Sequence, residues 1–87
     1  MFYTYVLKSR INNFIYVGST ANIQERVRRH NSGKVRSTKA YKPWELVQIE
    51  TFVTRSEATK RELFLKTGQQ KEALRNKYVD NGQVAKW

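Results

Sequence analysis

Cysteine is absent from this chain of 87 residues, and proline and methionine occur once each. Without thiols there is no disulfide framework and no thiolate-bound metal, and the composition is compatible with a reducing compartment. No apolar run approaches the ~20 residues that cross a bilayer. The N-terminus begins directly with strand-like residues, without a basic segment that leads into a long apolar one. We therefore expect a cytoplasmic protein with no membrane-spanning segment.

Acidic residues are scarce. Seven Asp and Glu stand against 17 Lys and Arg, which gives a net charge of +10, and residues 22–42 hold seven basic residues and one acidic residue. A surplus of this size indicates a surface that faces a polyanion, and nucleic acid is the natural partner. Membrane binding is disfavoured because the basic segments have no strongly amphipathic, Trp- or Leu-rich face. The plain alternative is a solvated basic face that serves solubility alone.

The chain also lacks internal repeats, low-complexity segments and room for a second module. A chain of this length is at the small end of those that bury a core without disulfides or metals. We expect one domain over residues 1–87, with a frayed tail over about residues 80–87.

Two short segments, residues 3–7 and 14–18, are rich in aromatic and β-branched side chains and are separated by polar residues. This pattern predicts a β-hairpin. If odd-numbered positions of the first strand face even-numbered positions of the second, Tyr5 and Tyr16 lie on one face of the sheet, near Gly18. We therefore expect the two phenol groups to converge.

A helix is predicted over about residues 21–31, with Ser19-Thr20 as its N-terminal cap and Gly33 as its C-terminal stop. Ile23 and Val27 are the residues expected to face inward. The helix is the first element after the hairpin, so its polar side chains are candidates to share a site with the tyrosine pair.

Three of these polar residues, Asn22, Arg26 and His30, recur at i, i+4 and i+8 and form a stripe on one helix face. The next segment, residues 34–43, shows neither strand nor helix periodicity and carries four basic residues and no acidic ones. We predict a loop that clamps a nucleic-acid backbone beside the site.

Residues 44–53 alternate along the whole segment, which predicts a third strand. The two predicted faces are Val47, Ile49, Thr51 and Val53 on one side and Leu46, Gln48, Glu50 and Phe52 on the other. A Thr-x-x-Glu capping box at residues 54–57 starts a second helix that ends at about residue 66, and Thr67-x-x-Gln70 caps a third helix over residues 71–78. The elements imply an α+β fold, with a three-stranded antiparallel sheet flanked by helices in the order β-β-α-β-α-α.

Glu62 lies between Ala58 and Leu65 on the apolar side of the second predicted helix. A carboxylate there needs a cation, since unpaired burial of a charge is costly. Spacing alone leaves three partners open: Arg26 through a salt bridge, Lys66 at i+4 on the same helix, or a metal ion.

These residues also resemble the signature of the GIY-YIG nucleases. Tyr3-Thr4-Tyr5 stands in the place of the first motif and Tyr16-Val17-Gly18 in the place of the second. The motif tyrosines and Gly18 are kept, whereas the first motif's Gly and Ile are replaced by Tyr and Thr and the second motif's Ile by Val. Further family positions follow at Arg26, His30, Asn31, Gly33 and Glu62. The resemblance is closest to the small single-domain members related to the nuclease domain of the UvrC DNA-repair subunit.

The resemblance implies a role for each site residue. Glu62 would hold one divalent cation, Mg²⁺ or Mn²⁺, which keeps several waters. Arg26 would hold the phosphate through its planar fork. Tyr5 would be the general base toward the attacking water, with its pKa of ~10 lowered by nearby cations. Tyr16 would orient the water or the phosphate, and His30 would bind phosphate or support the proton-transferring tyrosine.

The resemblance therefore implies a metal-dependent endonuclease that hydrolyses phosphodiester bonds, with DNA as substrate and weak or structure-directed specificity. The alternative is a non-catalytic nucleic-acid-binding module on the same fold; an acidic protein partner is favoured by nothing in the sequence. Asn76 is a weaker candidate for the late asparagine that supports the family's active site, and Asn81 is its alternative. The residues expected to bind nucleic acid are Arg28, Arg29, Lys34, Arg36, Lys39 and Lys42.

Overall fold

The computed structural model describes residues 1–80 of the chain. Over these residues the strands are β1 (Phe2–Ser9), β2 (Ile15–Thr20) and β3 (Trp44–Phe52), and the α-helices are α1 (Ile23–Asn31), α2 (Arg55–Leu65) and α3 (Gly68–Arg75). A 3-10 turn, Lys39–Tyr41, precedes β3, and a π-helical turn, Asn76–Asp80, follows α3. The predicted α+β order is confirmed. Residues 81–87, which include Asn81 and nearly all of the predicted tail, lie outside the described residues.

The sheet is antiparallel, with β1 in the centre and the strand order β2-β1-β3. In the hairpin Tyr5 pairs with Gly18 and Leu7 pairs with Tyr16. Odd positions of β1 thus face even positions of β2, as predicted, and the two tyrosines share a face. Because β2 is an edge strand, Tyr16 and Gly18 have a paired strand on one side only.

One face of the sheet packs against α1. Its buried residues are Tyr5, Leu7 and Trp44, and the partly buried Ile23 and Val27 of α1 pack against them. This confirms the inward face predicted for α1. Burial of an aliphatic or aromatic side chain of this size contributes about 1.5–3 kcal/mol, so this layer fixes α1 over the tyrosine pair.

The opposite face packs against α2 and α3. Its buried cluster consists of Val6, Ile15, Val17, Leu65, Leu74 and Val79. The Thr4 hydroxyl also donates a 2.8 Å hydrogen bond to the carbonyl of Ala58, so β1 and α2 are joined by a buried polar contact as well as by apolar packing. This layer determines where the side chains of α2 meet the edge strand.

The strict alternation predicted for β3 is wrong. Val6 pairs with Gln48 whereas Leu7 pairs with Leu46, so Val47 is the extra residue of a β-bulge. Val47 packs on the Val6 side of the sheet, and Ile49, which pairs with Tyr5, is on the other. The bulge thus puts Val47 and Ile49 on opposite faces of the sheet, although the alternation predicted the same face for both. The strand also ends one residue early, before Val53.

The N-terminal cap of α1 is Asn22, not Ser19-Thr20. Its side chain accepts a 3.1 Å hydrogen bond from the N–H of Glu25, which removes Asn22 from the predicted polar stripe. Thr20 instead accepts from the N–H of Asn22, and Ser19 reaches α2. Ser19 and Thr20 are the last two residues of β2 and lie too early to cap, because the chain turns once more before the helix begins.

The other helix ends follow the sequence signals. Gly33 has φ +83° after α1, the left-handed conformation that glycine adopts most readily. The capping box at Thr54 is formed. Thr67 caps α3 as predicted, but the helix begins at Gly68, three residues earlier than expected. No helix within residues 1–80 has the length and apolar character needed to cross a membrane.

Candidate active site

Tyr5 and Tyr16 lie on adjacent strands with their ring centroids 6.3 Å apart. Gly18 makes this arrangement possible, because a Cβ added there would lie 2.5 Å from the Tyr5 hydroxyl oxygen and 3.1 Å from Cε2 of Tyr16. Any side chain at this position would displace the Tyr5 ring. The glycine of the second motif is therefore required by space beside the two tyrosines.

The two phenol rings lie close together, but the hydrogen bonds of residues 1–80 include none between the two hydroxyls. The Tyr5 hydroxyl instead forms a 3.0 Å hydrogen bond with Nε2 of His30. Nδ1 of the same ring lies 2.8 Å from the hydroxyl of Thr38, in the loop after α1. Tyr5 and Thr38 are each 1% exposed and His30 is 0% exposed. The α1 layer thus places the chain's single histidine directly behind the tyrosine of the first motif.

Burial controls the protonation of this pair. It raises the pKa of the Tyr5 phenol well above the ordinary 10.0, and Tyr16 and Glu62 act in the same direction while Arg26 opposes them. Arg26 lowers the pKa of Tyr5, as expected of a nearby cation, but burial and the other two groups raise it by more. Burial also lowers the pKa of His30 from 6.5 to about 4, with repulsion from Arg26 and Arg29 added. At neutral pH both groups are therefore uncharged.

Arg26 lies one turn before His30 on α1 and is half-buried. Its charge affects the pKa of both Tyr5 and His30, so the guanidinium is near the Tyr5–His30 pair. Within residues 1–80 its side chain forms no ion pair or hydrogen bond, whereas the neighbouring Arg28 is held by Glu25 at 2.7 Å. A guanidinium without a partner beside a buried polar pair is suited to receive an anion.

Glu62 reaches the same strand edge from the other side of the sheet. Ser19 donates a 2.6 Å hydrogen bond to its Oε1, and the Lys66 ammonium lies 2.6 Å from its Oε2. Of the partners that spacing left open, the salt bridge to Arg26 is not formed and the i+4 pair with Lys66 is. The Lys66 ammonium is also 5.9 Å from the centroid of the Tyr16 ring, so the carboxylate and the tyrosine pair are neighbours across β2.

The donor set at Glu62 is compatible with one hard cation. The side chain is 18% exposed and presents carboxylate oxygens, the ligands that Mg²⁺ and Mn²⁺ prefer. Within the described residues no three His, Cys, Asp or Glu side chains form a group that could enclose a metal. A cation here would take its remaining ligands from water and phosphate, and it would exchange with Lys66 at Oε2.

The six basic residues predicted to bind nucleic acid are all solvent-exposed, on α1 and on the loop that follows it. Their positions are compatible with contacts to a backbone, and contact itself stays a prediction. Asn76 is the exposed C-terminal cap residue that follows α3, and its backbone N–H bonds to carbonyls of the preceding turn. Nothing among the described contacts joins its side chain to the Tyr5–His30 pair, so its supporting role also stays a prediction.

Two residues at this site were not predicted from the sequence: Ser19 as a neighbour of Glu62 and Thr38 as a neighbour of His30. The pair of Lys66 with Glu62 was one of the alternatives predicted from the i+4 spacing, and it is formed. Ser19 and Thr38 carried no usable signal, because a serine at the end of a strand and a threonine in a loop have many ordinary roles. Only the packing of α2 and of the loop after α1 reveals their partners.

The comparisons with known proteins agree with this geometry. A family model described as the GIY-YIG catalytic domain matches residues 1–78. The tyrosine pair, Arg26, His30 and Glu62 all fall within this match. The chain belongs to the GIY-YIG family of nucleases.

Within that family the chain is similar to small proteins named UPF0213. It is 38% identical over 74 residues to a UPF0213 protein of Staphylococcus haemolyticus, covering 84% of this chain and 89% of the relative. A UPF0213 protein of Bacillus pumilus is 36% identical over 85 residues, with 97% and 84% covered. A third, from Haloquadratum walsbyi, is 34% identical over 84 residues, with 93% of each chain covered.

Proposed function

We propose that this chain is a divalent-metal-dependent endonuclease that hydrolyses phosphodiester bonds in DNA, acting as a single domain. One observation carries the proposal: the buried Tyr5–His30 hydrogen bond ends on the residue one helical turn after Arg26, whose guanidinium has no partner among residues 1–80. A phosphate anion would supply the missing counter-charge and would bring a scissile bond next to the tyrosine pair.

In this proposal Arg26 binds the phosphate and offsets the charge that develops during attack. Tyr5 takes a proton from the attacking water as its own hydroxyl proton passes to Nε2 of His30. This exchange avoids a free phenolate, which the burial of Tyr5 disfavours, but it forms an imidazolium, which burial and the Arg26 charge also disfavour, so it requires the bound phosphate anion to offset that charge. The half-buried Tyr16 faces the same space and orients the water or the phosphate.

Glu62 would hold the metal ion, Mg²⁺ or Mn²⁺, while Ser19 keeps the carboxylate oriented through Oε1. The bound cation would supply positive charge at the phosphate. Because the Lys66 ammonium already lies at Oε2, loading the site requires this lysine to turn away. The Lys66 side chain is 41% exposed, so water can solvate its ammonium once the ion pair with Glu62 is broken.

The substrate assignment follows from charge and resemblance. The exposed basic residues of α1 and the following loop suit a sugar-phosphate backbone, which carries no sequence information by itself. The resemblance to the nuclease domain of UvrC favours DNA and a setting in DNA repair. We propose cleavage with weak or structure-directed specificity, since no base-reading element is identified among residues 1–80.

A nucleic-acid-binding module without activity is the second candidate, and one observation favours it. Both oxygens of Glu62 are already satisfied, by Ser19 and by Lys66, so the carboxylate is stable without a metal. In that case the fold and charge would serve binding alone.

The deciding experiment incubates supercoiled plasmid and duplex, single-stranded and flap oligonucleotides with the protein in Mg²⁺, in Mn²⁺ and in EDTA. We expect nicking or cutting only with the divalent ions. The matched control for a contaminating nuclease is Arg26→Ala, purified in parallel, which should lose the activity, whereas the exposed Lys60→Ala on α2 should keep it. Retention on DNA with no cleavage of any substrate would favour the binding module, and EDTA-resistant cleavage would contradict the metal requirement.

A further inference from the structure

Three buried side chains form one hydrogen-bonded chain behind the candidate site. It begins at the Tyr5 hydroxyl, which is 3.0 Å from Nε2 of His30, and continues from Nδ1 to the Thr38 hydroxyl at 2.8 Å. The Thr38 hydroxyl in turn lies 3.4 Å from the carbonyl of Val35, to which it donates. The three side chains are essentially inaccessible to solvent, so each of their N–H and O–H groups needs an acceptor within this hydrogen-bonded series.

The direction of the bonds follows from what each group can donate. Within residues 1–80 the only hydrogen-bond partner of the Tyr5 hydroxyl is Nε2 of His30, so the phenol proton finds an acceptor only there. A neutral imidazole carries one N–H, and with Nε2 as acceptor that hydrogen is on Nδ1. Nδ1–H then donates to Thr38, whose own hydroxyl donates to the Val35 carbonyl. When the groups donate in the order Tyr5, His30, Thr38, every N–H and O–H of the series has an acceptor. The reverse order leaves the Tyr5 hydroxyl proton without one among residues 1–80.

We propose that Thr38 is a positioning residue that holds neutral His30 in the Nδ1–H tautomer and so keeps Nε2 available as the proton acceptor of Tyr5. The opposite tautomer would direct Nε2–H at the Tyr5 oxygen and block transfer in that direction. The functional part of this inference rests on the proposed nuclease activity. A proton from water would then move to the Tyr5 oxygen, the Tyr5 proton would move to Nε2, and the imidazolium would stay bonded to Thr38 through Nδ1–H.

Thr38 is itself fixed by the loop that carries it. Its carbonyl accepts a 3.0 Å hydrogen bond from the indole N–H of the buried Trp44, and its backbone N–H donates to the Val35 carbonyl at 3.1 Å. The hydroxyl is therefore held at one place against the histidine ring. The loop predicted only as a basic clamp thus also supplies a group to the interior of the site.

The tautomer can be measured directly because the chain contains one histidine. Long-range ¹H–¹⁵N correlation spectra of ¹⁵N-labelled protein at neutral pH should show His30 with a protonated Nδ1 and an unprotonated Nε2. In Thr38→Val, which keeps the shape and removes the hydroxyl, the ¹⁵N shifts should move toward the Nε2–H form. Thr38→Ser should restore the wild-type spectrum. A wild-type spectrum with Nε2–H, or unchanged shifts in Thr38→Val, would overturn the proposal.

The wild-type spectrum decides the tautomer even if Thr38→Val fails to fold, and it does so whether or not the protein cuts DNA. Failure of the nuclease proposal is thereby separated from failure of this one. If cleavage is observed, Thr38→Val should lower the single-turnover rate at saturating DNA by about tenfold or more with an unchanged Kd, and Thr38→Ser should restore it. An equal loss in both variants would mean that the hydroxyl has no positioning role.

Discussion

The ammonium of Lys66 lies 2.6 Å from Oε2 of Glu62, so the residue expected to hold a metal ion already has a cation beside it. Glu62 is on α2 and Lys66 is the C-terminal cap residue of that helix, one turn later, and Ser19 of the edge strand holds the other carboxylate oxygen. The arrangement is stable without metal, and it makes the metal and the lysine competitors for one oxygen. The effect of replacing Glu62 on stability and on metal binding therefore depends on its pair with Lys66.

Glu62→Gln should remove metal binding with little effect on stability. The amide keeps an oxygen for the Ser19 hydroxyl, and the lost pair with a 41% exposed lysine contributes about 0–1 kcal/mol. We expect the metal-free melting temperature to fall by less than about 8 °C. Thermal denaturation of both proteins with and without Mg²⁺ checks this, with Lys60→Gln as an exposed control on the same helix. A much larger fall would mean that the carboxylate has a structural role that the contacts do not reveal.

Lys66→Met should strengthen binding of Mn²⁺ or Mg²⁺. Removing an exposed competing cation worth up to about 1 kcal/mol corresponds to about two- to fivefold in affinity. Calorimetric titration or Mn²⁺ paramagnetic resonance gives the value without any need for cleavage. Glu62→Gln is the negative control. Weaker binding in Lys66→Met would show that the lysine supports the metal site instead of competing with it.

Arg26→Ala should lower the cleavage rate by about 10²-fold and weaken DNA binding only modestly, because it removes one charge that stabilises the transition state. Arg28, whose charge is partly offset by Glu25, and the exposed Arg29 should behave as ordinary phosphate contacts. Single-turnover rates and Kd values for the three alanine variants separate the effects. Equal losses of rate in all three would remove the special role assigned to Arg26.

DNA binding should weaken steeply with salt, and the basic loop should account for part of the slope. Each phosphate contact contributes about 0.9 to the slope of log K against log salt on B-DNA. Arg36→Gln with Lys39→Gln should flatten the slope by up to about 2. The matched control is Arg55→Gln with Lys60→Gln on α2, which removes the same charge from exposed positions elsewhere. Equal slopes for the two variants would mean that the loop is not a clamp.

Acid should destabilise the protein through His30. The pKa of His30 is lowered from 6.5 to about 4, so between these pH values the unfolded chain binds a proton that the folded protein excludes. The free energy of unfolding should therefore fall, on the order of 2 kcal/mol, as the pH drops from 6.5 to 4, and this contribution should level off below pH 4.

Urea denaturation across this pH range measures the effect, and His30→Gln should lack the slope. Glu25, whose pKa is lowered chiefly by its hydrogen bond to Arg28, adds its own loss only below its ordinary value of 4.5. A wild-type slope that persists in His30→Gln would assign the effect to other groups.

Gly18→Ala should disturb the site more than its size suggests. The new methyl group would lie 2.5 Å from the Tyr5 hydroxyl oxygen and 2.7 Å from Cζ, so the ring must move and its hydrogen bond to His30 must lengthen or break. Overpacking of this kind costs about 1–3 kcal/mol. The His30 ¹⁵N shifts and the melting temperature should both change.

Gly68→Ala is the matched control, because a Cβ at the first residue of α3 meets nothing within 4 Å. It should be neutral or stabilise by up to about 1 kcal/mol. Similar destabilisation by the two substitutions would contradict the steric reason given for Gly18.

The sequence by itself determined the elements whose signals are local. Period-two alternation placed Tyr5 and Tyr16 on one face of a hairpin, the box at Thr54 began α2, and Gly33 ended α1. The i, i+4 spacing of Arg26 and His30 put them on one helix face. These are properties of a few neighbouring residues and follow from backbone geometry, so they hold before any long-range contact forms.

Tertiary structure decided which partners those residues meet. Ser19 and Glu62 are 43 positions apart and touch only because α2 packs across the edge strand. The bulge at Val47, which broke the predicted alternation, depends on pairing with β1. Thr38 reaches His30 because the loop after α1 is tied to Trp44. Periodicity specifies which side of an element a residue occupies, but the contacts across elements depend on how buried surfaces and hydrogen bonds are satisfied together, and no local pattern encodes that.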